Sequence, residues 1–320
     1  MKIIIIIGLT LLLLLLAAAV FAGFWMCRFA LDPKCDRSFA FGKPHNQFTP
    51  EEESAEKNRL VLREQWLKTV TRQEFFCKSE DGLNLHAYTY IPQGPAYSRW
   101  AVICHGYDGD AASMLDQARP LSQLGFNVLL PNARGHGLSE GSYIGMGWSE
   151  RRDMIGWLDF ILKRDPDAEV LLYGISMGAE TVMMTVGEAD LPGNVKAVIE
   201  DCGYTSVWDE FAYQLKAVFG LPAFPVLHLA SLIARLRYGW SFGEASAVRQ
   251  LAKSKVPILC IHGTRDTFVP VEMLEEVYAA ASAPKERLVV EGAEHGGANV
   301  VGGERYWSTV RDFAFTYLTK

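Results

Sequence analysis

The sequence has no excess of positive charge. Its 320 residues include 31 Lys and Arg against 37 Asp and Glu, which gives a formal net charge of −6 at pH 7. A nucleic-acid-binding protein usually carries a strongly basic face, so this balance argues against a nucleic-acid partner. Long hydrophobic runs are also scarce, because the chain has only one, at its start. A transporter with several membrane spans is thereby excluded.

Residue patterns that bind metals are missing as well. The sequence contains no H-E-x-x-H segment and no similar cluster of histidines and carboxylates. Its six cysteines follow the spacing of neither a zinc site nor a disulfide framework. Cys104, Cys202 and Cys260 instead lie in or at the end of apolar runs, where small buried thiols are the usual interpretation. We therefore expect a protein that needs no metal and no cofactor.

The single long hydrophobic run occupies the beginning of the chain. From Ile3 to Cys27, between Lys2 and Arg28, 25 consecutive residues carry no charge. At about 1.5 Å per residue, such a helix is roughly 37 Å long and can cross a lipid bilayer. A secretory signal has a shorter apolar centre, of roughly 7–15 residues. Residues 1–28 are therefore predicted to be an uncleaved anchor whose partner is the bilayer.

Cleavage is the alternative for this segment. Ala17-Ala18-Ala19 and Val20-Phe21-Ala22 both have the small residues of a signal-peptidase site. A chain that is cut at either position would be secreted instead of anchored.

The charges that flank the anchor favour two opposite orientations. Arg28, Lys34, Arg37 and Lys43 follow it and only Lys2 precedes it, so the positive-inside rule places the body in the cytoplasm. The short Met-Lys head resembles a signal-anchor whose C-terminal side is exported. We expect the body on the extracytoplasmic face, and the cytoplasmic face is the alternative.

Residues 29–72 are interpreted as a stalk and a lead-in helix. Thr49-Pro50-Glu51-Glu52 has the proline and the first-turn acids of a helix start. The helix is predicted to continue to about Val70.

The remainder, residues 73–320, shows the alternation of an α/β domain. Seven apolar strand-like runs are predicted, at Leu83–Ile91, Trp100–Cys104, Phe126–Leu130, Val170–Tyr173, Val195–Ile199, Val256–Ile261 and Leu288–Val290. Helical stretches lie between or after them, near residues 111–124, 148–163, 177–188, 271–283 and 304–318. Apolar strands that alternate with helices predict a largely parallel sheet covered on both faces.

One long interval breaks this alternation. Some 55 residues separate Ile199 from Val256, which is too long for a plain crossover. We predict a small helical cap inserted at about residues 204–248. Its aromatic residues favour an apolar acyl or aryl substrate group, although packing of the cap explains most of them: Trp208, Phe211, Tyr213, Phe219, Phe224 and Trp240.

A candidate nucleophile follows the fourth of these runs. Gly174-Ile175-Ser176-Met177-Gly178 has the pattern G-x-S-x-G and lies between a buried strand and an amphipathic stretch. In this setting the glycines allow a tight turn that exposes the serine hydroxyl. The pentapeptide alone is weak evidence, and its position between strand and helix makes Ser176 the predicted nucleophile.

Ser176 needs a base to remove its proton and an acid to orient that base. On this topology the expected chain order is Ser, then Asp or Glu, then His. Asp266 and His295 each lie just past the end of a later strand, at the edge where parallel sheets collect functional groups. Asp201 also ends a strand and is the alternative acid.

Other neighbours of these residues receive structural interpretations. Glu294 would point away from a site into which His295 points. His105, His136 and His262 each lie beside a glycine at a turn, and we interpret all three as loop-shaping residues.

Backbone N–H groups are expected to stabilise the negative charge that develops on a substrate carbonyl. One is predicted from Met177, which follows the nucleophile. The other is predicted from Tyr107, in the glycine-containing loop that follows Cys104.

Taken together, these motifs resemble the α/β-hydrolase superfamily. They lie in the expected order within residues 73–320: His105-Gly106-Tyr107, Arg134–Ser139, Gly174–Gly178, His262–Asp266 with Val269-Pro270, and Gly292–His295. Within the superfamily the chain looks most like membrane-anchored bacterial serine hydrolases with an N-terminal apolar segment.

The resemblance implies the α/β-hydrolase fold, with a mostly parallel sheet of about eight strands, helices on both faces and a small helical cap. It also implies Ser176 as nucleophile, Asp266 as acid and His295 as base, in agreement with the chain order. It supplies no substrate. The loop reads His-Gly-Tyr-Asp-Gly where lipases have His-Gly-Gly-Gly, so a bulky tertiary-alcohol ester is a less natural substrate.

We therefore expect a serine hydrolase that cleaves small carboxylic esters through an acyl-enzyme. One alternative is an aminopeptidase-type serine peptidase on the same fold, for which Asp209, Glu210 and Glu244 offer acidic groups without a clear pattern. The other is a catalytically silent, membrane-tethered binding module, although no member of the predicted triad is missing. The oligomeric state cannot be deduced from the sequence.

Overall fold

The computed structural model describes residues 2–41, 50–94 and 97–319. The chain divides into two compact units. The first, here called the helical unit, comprises Met1–Lys43 and Ser206–Ala245. The second, called the sheet unit, comprises Pro44–Thr205 and Ser246–Lys320. Residues 42–49 of the predicted stalk, including Lys43, lie outside the described residues.

The sheet unit is built on one eight-stranded sheet. Its strands are β1 (Val70–Lys78), β2 (Asn84–Pro92), β3 (Arg99–Cys104), β4 (Asn127–Pro131), β5 (Glu169–Ile175), β6 (Val195–Asp201), β7 (Ile258–Gly263) and β8 (Lys285–Val290). They lie in the order β1-β2-β4-β3-β5-β6-β7-β8. The pairs β1–β2 and β2–β4 are antiparallel, and the others are parallel. The seven predicted strands correspond to β2–β8, and the α/β-hydrolase fold class is confirmed.

The sheet is buried on both faces because the middle of its central strands is apolar on both sides. In β5, all seven residues are buried. Leu171 and Tyr173 join the core on one face, whereas Val170 and Leu172 join the core on the other. A strand that lacks polar alternation therefore specifies a sheet with helices on both sides.

The N-terminal edge strand β1 is absent from the predicted elements. Most of its residues are exposed, so Val70–Lys78 carries little of the hydrophobic periodicity that marks a strand. The sheet consequently begins at Val70, where the sequence predicts the end of the lead-in helix. That helix itself ends at Leu67.

Helices of the sheet unit cover the two faces of the sheet. They are α3 (Pro50–Leu67), a 3-10 turn (Ala111–Met114), α4 (Leu115–Gln123), α5 (Glu150–Leu162), α6 (Met177–Thr185), α9 (Ala247–Leu251), α10 (Glu272–Ala280) and α11 (Ala298–Tyr317). The last of these begins earlier than the predicted 304–318, because it continues through a kink at Gly303, where φ is 48°. That conformation favours glycine.

The helical unit contains the predicted anchor and the interval predicted as a cap. Its helices are α1 (Lys2–Leu31), α2 (Ser38–Phe41), α7 (Val207–Phe219) and α8 (Val226–Tyr238). α1 extends three residues beyond the predicted boundary at residue 28. Ser206 caps α7 by accepting a hydrogen bond from the Asp209 N–H, and Gly220 ends that helix in the left-handed conformation. All six aromatic residues named for the cap lie within this unit, where Phe211 packs against Phe242.

Candidate active site

Ser176 occupies a strained turn between β5 and α6. Its backbone has φ 55° and ψ −121°, a conformation that non-glycine residues seldom adopt. The turn is held because the Ser176 N–H donates to the Asp201 carbonyl oxygen at 2.8 Å. Only 7% of the serine is exposed. Such strain is typical of functional turns that the surrounding structure over-determines.

The two glycines of the turn are required by close backbone contacts. A Cβ on Gly174 would lie 2.1 Å from the Gly178 carbonyl oxygen. A Cβ on Gly178 would lie 2.1 Å from the carbonyl oxygen of Cys104, at the end of β3. Neither contact can be relieved by moving a side chain. The pattern G-x-S-x-G therefore reflects the packing of α6 against the ends of β3 and β5.

Ser176, His295 and Asp266 form one continuous chain of hydrogen bonds. The His295 Nε2 atom lies 2.9 Å from Ser176 Oγ, and its Nδ1 atom lies 2.7 Å from Asp266 Oδ2. With Asp266 ionised, the His295 Nδ1 atom carries a proton and donates a hydrogen bond to the carboxylate. Nε2 is then the acceptor for the serine hydroxyl. This is the arrangement in which a histidine can act as a base towards a serine.

The surroundings of Asp266 keep its carboxyl group ionised. Burial alone would raise its pKa, but hydrogen bonds with His262 and His295 outweigh that effect and hold the pKa well below its usual value. Asp266 Oδ1 also accepts from the Phe268 and Val269 N–H groups, each at 2.9 Å. The carboxylate is therefore fixed in orientation as well as in charge.

His262 contributes to this arrangement in a way that the sequence did not predict. It is fully buried, its Nε2 atom contacts the Val269 carbonyl oxygen at 2.9 Å, and the same atom lies 3.4 Å from Asp266 Oδ2. The predicted loop-shaping role is thus accompanied by a contact with the acid. The only feature of the sequence that points to this contact is the spacing of four residues between His262, near the end of β7, and Asp266.

The loops that carry Asp266 and His295 are joined directly. Arg265 N–H donates to the Ala293 carbonyl oxygen at 2.9 Å, and Gly292 N–H donates to Thr264 Oγ1 at 2.9 Å. A Cβ on Gly263 would lie 2.2 Å from the Ala293 carbonyl oxygen, so only glycine permits this approach. The distance between the acid and the histidine is therefore set by backbone contacts.

The alternative residues lie in other environments. Asp201 is fully buried and accepts from the Tyr306 hydroxyl at 2.7 Å, and Tyr306 in turn contacts the Tyr173 hydroxyl at 2.5 Å. Burial raises the pKa of Asp201 to about 6. Glu294 is exposed. It is Asp266 that contacts His295 directly.

The residues predicted to supply the N–H donors lie next to Ser176 in sequence or next to a residue that approaches it. Met177 is the first residue of α6, and the first N–H groups of a helix have no acceptor within it. Tyr107 follows Gly106, where a Cβ would lie 3.5 Å from the Ser176 Cβ. His136 Nε2 lies 2.8 Å from the Tyr107 carbonyl oxygen, so a neighbouring loop supports this segment.

One set of side chains among the described residues has the spacing of metal ligands. The ligand atoms of Cys202, Asp266 and His295 lie within 4.8 Å of one another. Burial raises the pKa of the Cys202 thiol well above its usual value, which keeps it protonated, whereas a metal needs the thiolate. Asp266 and His295 also already hydrogen-bond each other. The donor set therefore fits a proton relay better than a metal site.

Beside Asp201, the buried Glu200 should make stability depend on pH. Burial raises the pKa of this carboxyl group from 4.5 to about 7, although the Gly203 N–H donates to it at 3.0 Å. At a pH between these two pKa values, Glu200 keeps its proton in the folded protein and releases it in the unfolded chain. The free energy of unfolding therefore falls as the pH rises through this range.

Replacing Glu200 with glutamine removes this titration. As the pH rises from 4.5 to 7, we expect the free energy of unfolding of Glu200→Gln to increase by about 3 kcal/mol relative to that of the natural chain. Urea unfolding of both proteins in one mild detergent, followed by tryptophan fluorescence at several pH values, measures the difference. A difference that stays constant across this window would contradict the prediction.

Comparison with known proteins places these features in context. Residues 98–238, which include Ser176, match the family model described as "Serine aminopeptidase, S33". The Bacillus subtilis protein YqkD is 28% identical over 245 residues, which cover 76% of this chain and 79% of that one. The Arabidopsis thaliana "Alpha/beta hydrolase domain-containing protein WAV2" is 28% identical over 255 residues, covering 77% and 79%. Among solved structures, the Pyrococcus furiosus esterase Pf2001 superposes with a TM-score of 0.64 at 21% identity, covering 87% of this chain and 99% of that one.

Proposed function

The chain has the α/β-hydrolase fold, and from that premise we propose that it is a serine hydrolase that cleaves carboxylic esters through an acyl-enzyme. The observation that carries the proposal is the hydrogen-bonded chain from Ser176 Oγ through His295 to Asp266, at 2.9 and 2.7 Å. An ionised acid, a histidine with a free lone pair on Nε2 and a strained serine are the components that nucleophilic acyl transfer requires.

In the first half of the proposed reaction, His295 Nε2 removes the hydroxyl proton while Ser176 Oγ attacks the ester carbonyl carbon. The oxyanion of the tetrahedral intermediate accepts hydrogen bonds from the Met177 and Tyr107 N–H groups. His295 then gives its proton to the departing alcohol, and the acyl group stays on Ser176. Asp266 stabilises the imidazolium without taking its proton.

In the second half, a water molecule gives a proton to His295 and attacks the acyl-enzyme. Collapse of the second tetrahedral intermediate releases the carboxylic acid and returns the proton to Ser176 Oγ. No step of this proposed reaction needs a metal or an organic cofactor.

The support for an ester as substrate comes from the fold and its neighbours. The Pyrococcus furiosus protein with the same fold is described as an esterase. The competing function is peptide hydrolysis, because the family model that covers Ser176 is named for a serine aminopeptidase. A peptidase of that kind needs an anionic group for the substrate amine, and Asp209, Glu210 and Glu244 lie in the helical unit as candidates.

A substrate panel distinguishes these functions. We expect the full chain in mild detergent to hydrolyse p-nitrophenyl esters of short to medium acyl length, with no turnover of aminoacyl p-nitroanilides. Hydrolysis of the anilides alone would replace the esterase proposal with the peptidase one. Turnover of neither substrate class would favour a tethered binding module.

We further propose that α1 anchors the chain in a membrane, with the body on the extracytoplasmic face. The helix is 30 residues long and apolar enough to span a bilayer. A secretory signal passes the same criterion. Retention of the chain in carbonate-washed membranes tests the anchor, and protease access in intact cells tests the orientation.

A further inference from the structure

The last third of α1 is an integral part of the helical unit. The side of the helix that includes Gly23, Met26, Cys27 and Ala30 is buried, with a spacing of three or four residues that defines one helix face. A Cβ on Gly23 would lie only 2.6 Å from the Leu229 Cβ of α8. This glycine therefore permits a close approach of the two helices. Phe219, at the end of α7, completes the contact by packing edge-on against Trp25 and Phe29, each at 5.7 Å.

α8 runs in the same direction as α1. Gly23 lies against Leu229 and Ala230, whereas Cys27, one turn later, interacts electrostatically with Arg237, near the other end of α8. Both helices rise about 1.5 Å per residue. The start of α8 at Val226 is therefore level with about Ala19 of α1, and its end lies beyond Ala30.

The rest of α1 makes no comparable contact. The side chains from Ile3 to Leu16 are exposed along their whole length. From Ile3 to Phe21 the helix is about 28 Å long, close to the roughly 30 Å thickness of a bilayer's hydrocarbon core. If α1 spans the bilayer as proposed above, the membrane surface lies between Phe21 and Trp25. The start of α8 is level with about Ala19, which lies on the bilayer side of this surface. The start of α8 therefore lies within the membrane.

The loop that leads from α7 into α8 is apolar. Leu221 is 41% exposed and Phe224 is 71% exposed, and these two residues are here called the apolar tip. The surrounding stretch, residues 211–234, contains no Asp or Glu and a single charged residue, Lys216. Lys216 lies in the last turn of α7, and along α8 the first charged side chains are Arg235 and Arg237, near the end of that helix. This order of apolar and then basic residues matches the passage from hydrocarbon to phosphate groups.

We propose that the apolar tip inserts into the bilayer leaflet from which the C-terminal end of α1 emerges. The inference rests on the proposed anchoring of α1, and the occupant of this surface is the acyl-chain and headgroup boundary of a phospholipid bilayer. Leu221 and Phe224 enter it by several ångströms, as interfacial helices and loops do. The helical unit then has two membrane contacts, a spanning helix and an inserted loop. Cleavage after Ala22 would leave Gly23–Leu31 in the helical unit. The apolar tip would then be the unit's remaining contact with the membrane.

Site-specific fluorescence on the full chain tests this inference. The half-buried Cys35 and Cys77 are first changed to serine, because the other four cysteines are buried and poorly reactive. A single cysteine at Phe224→Cys or Leu221→Cys is then labelled with the dye NBD. The protein is reconstituted into phosphatidylcholine–phosphatidylglycerol vesicles that carry a spin label shallow in the acyl chains.

Two further positions serve as references. Leu236→Cys is the matched control, because Leu236 is a 78% exposed leucine on α8 and lies 12 residues, or about 18 Å, from Phe224 along the axis. Phe21→Cys on α1 reports anchoring independently. We expect blue-shifted emission at both tip positions and quenching about threefold or more above that at Leu236.

The outcomes separate the two proposals. One outcome is that the dye is quenched at residue 21, while quenching at residues 221 and 224 equals that at residue 236. This result would overturn the inserted tip and leave the anchor intact. Quenching at the tip without quenching at residue 21 would support the tip and reject the spanning helix. Equal, water-like emission at all four positions would reject both.

Discussion

Replacing Ser176 with alanine is expected to lower kcat for a carboxylic ester by about 10⁵–10⁶-fold. The hydroxyl is the atom that attacks the carbonyl carbon, so its removal abolishes the acyl-enzyme route and leaves only water attack. Substrate affinity should change little, because alanine removes one atom and keeps the backbone of the turn. The residual rate would come from the N–H donors and from substrate positioning.

Steady-state kinetics of the purified variant measure this loss. Ser122→Ala is the matched control, since Ser122 is a buried serine of α4 and should keep near-natural activity. Equal thermal unfolding of the two variants would show that the loss is chemical. If Ser176→Ala retains more than about one hundredth of the natural kcat, Ser176 is not the nucleophile.

Replacing Asp266 with asparagine is expected to lower kcat by about 10³–10⁴-fold. An amide in place of the carboxylate cannot fix the proton on His295 Nδ1, and it cannot stabilise the imidazolium that forms during the reaction. The low pKa of Asp266 means that the carboxylate is ionised throughout the neutral range, so the full effect should appear at pH 7.

The neighbouring acid provides the control for this experiment. Asp201 accepts a hydrogen bond from the Tyr306 hydroxyl, and burial raises the pKa of its carboxyl group to about 6. We expect Asp201→Asn to change kcat by less than about tenfold, since it leaves the Asp266–His295 contact in place. A larger loss from Asp201→Asn than from Asp266→Asn would transfer the role of the acid to Asp201.

Much of the candidate site follows from the sequence because strand ends share one edge. Ser176 comes directly after β5, whereas Asp266 and His295 lie in the loops that follow β7 and β8, and the carboxyl ends of these parallel strands meet in space. The apolar runs of β3 to β8 therefore predict both the fold class and the proximity of the three residues. The glycines at 174 and 178 add local evidence, since they announce a turn that a Cβ would block.

Other features depend on tertiary packing and leave little trace in the sequence. β1 is mostly exposed, so it lacks the pattern of a strand and gains its place from pairing with β2. The contact of His262 with Asp266 requires the loop after β7 to fold back. The packing of α1 on α8 depends on the small surface at Gly23, which within a long apolar run looks like any other uncharged position.

The central claim is that Ser176 becomes covalently modified because His295 and Asp266 activate it. Its most direct test is to react the full chain in mild detergent with a fluorophosphonate and to locate the adduct by peptide mass spectrometry. The account predicts one adduct, on Ser176, with labelling of His295→Ala slowed by orders of magnitude. An unlabelled chain, beside a control serine hydrolase that reacts, would contradict it, and so would an adduct that persists in Ser176→Ala.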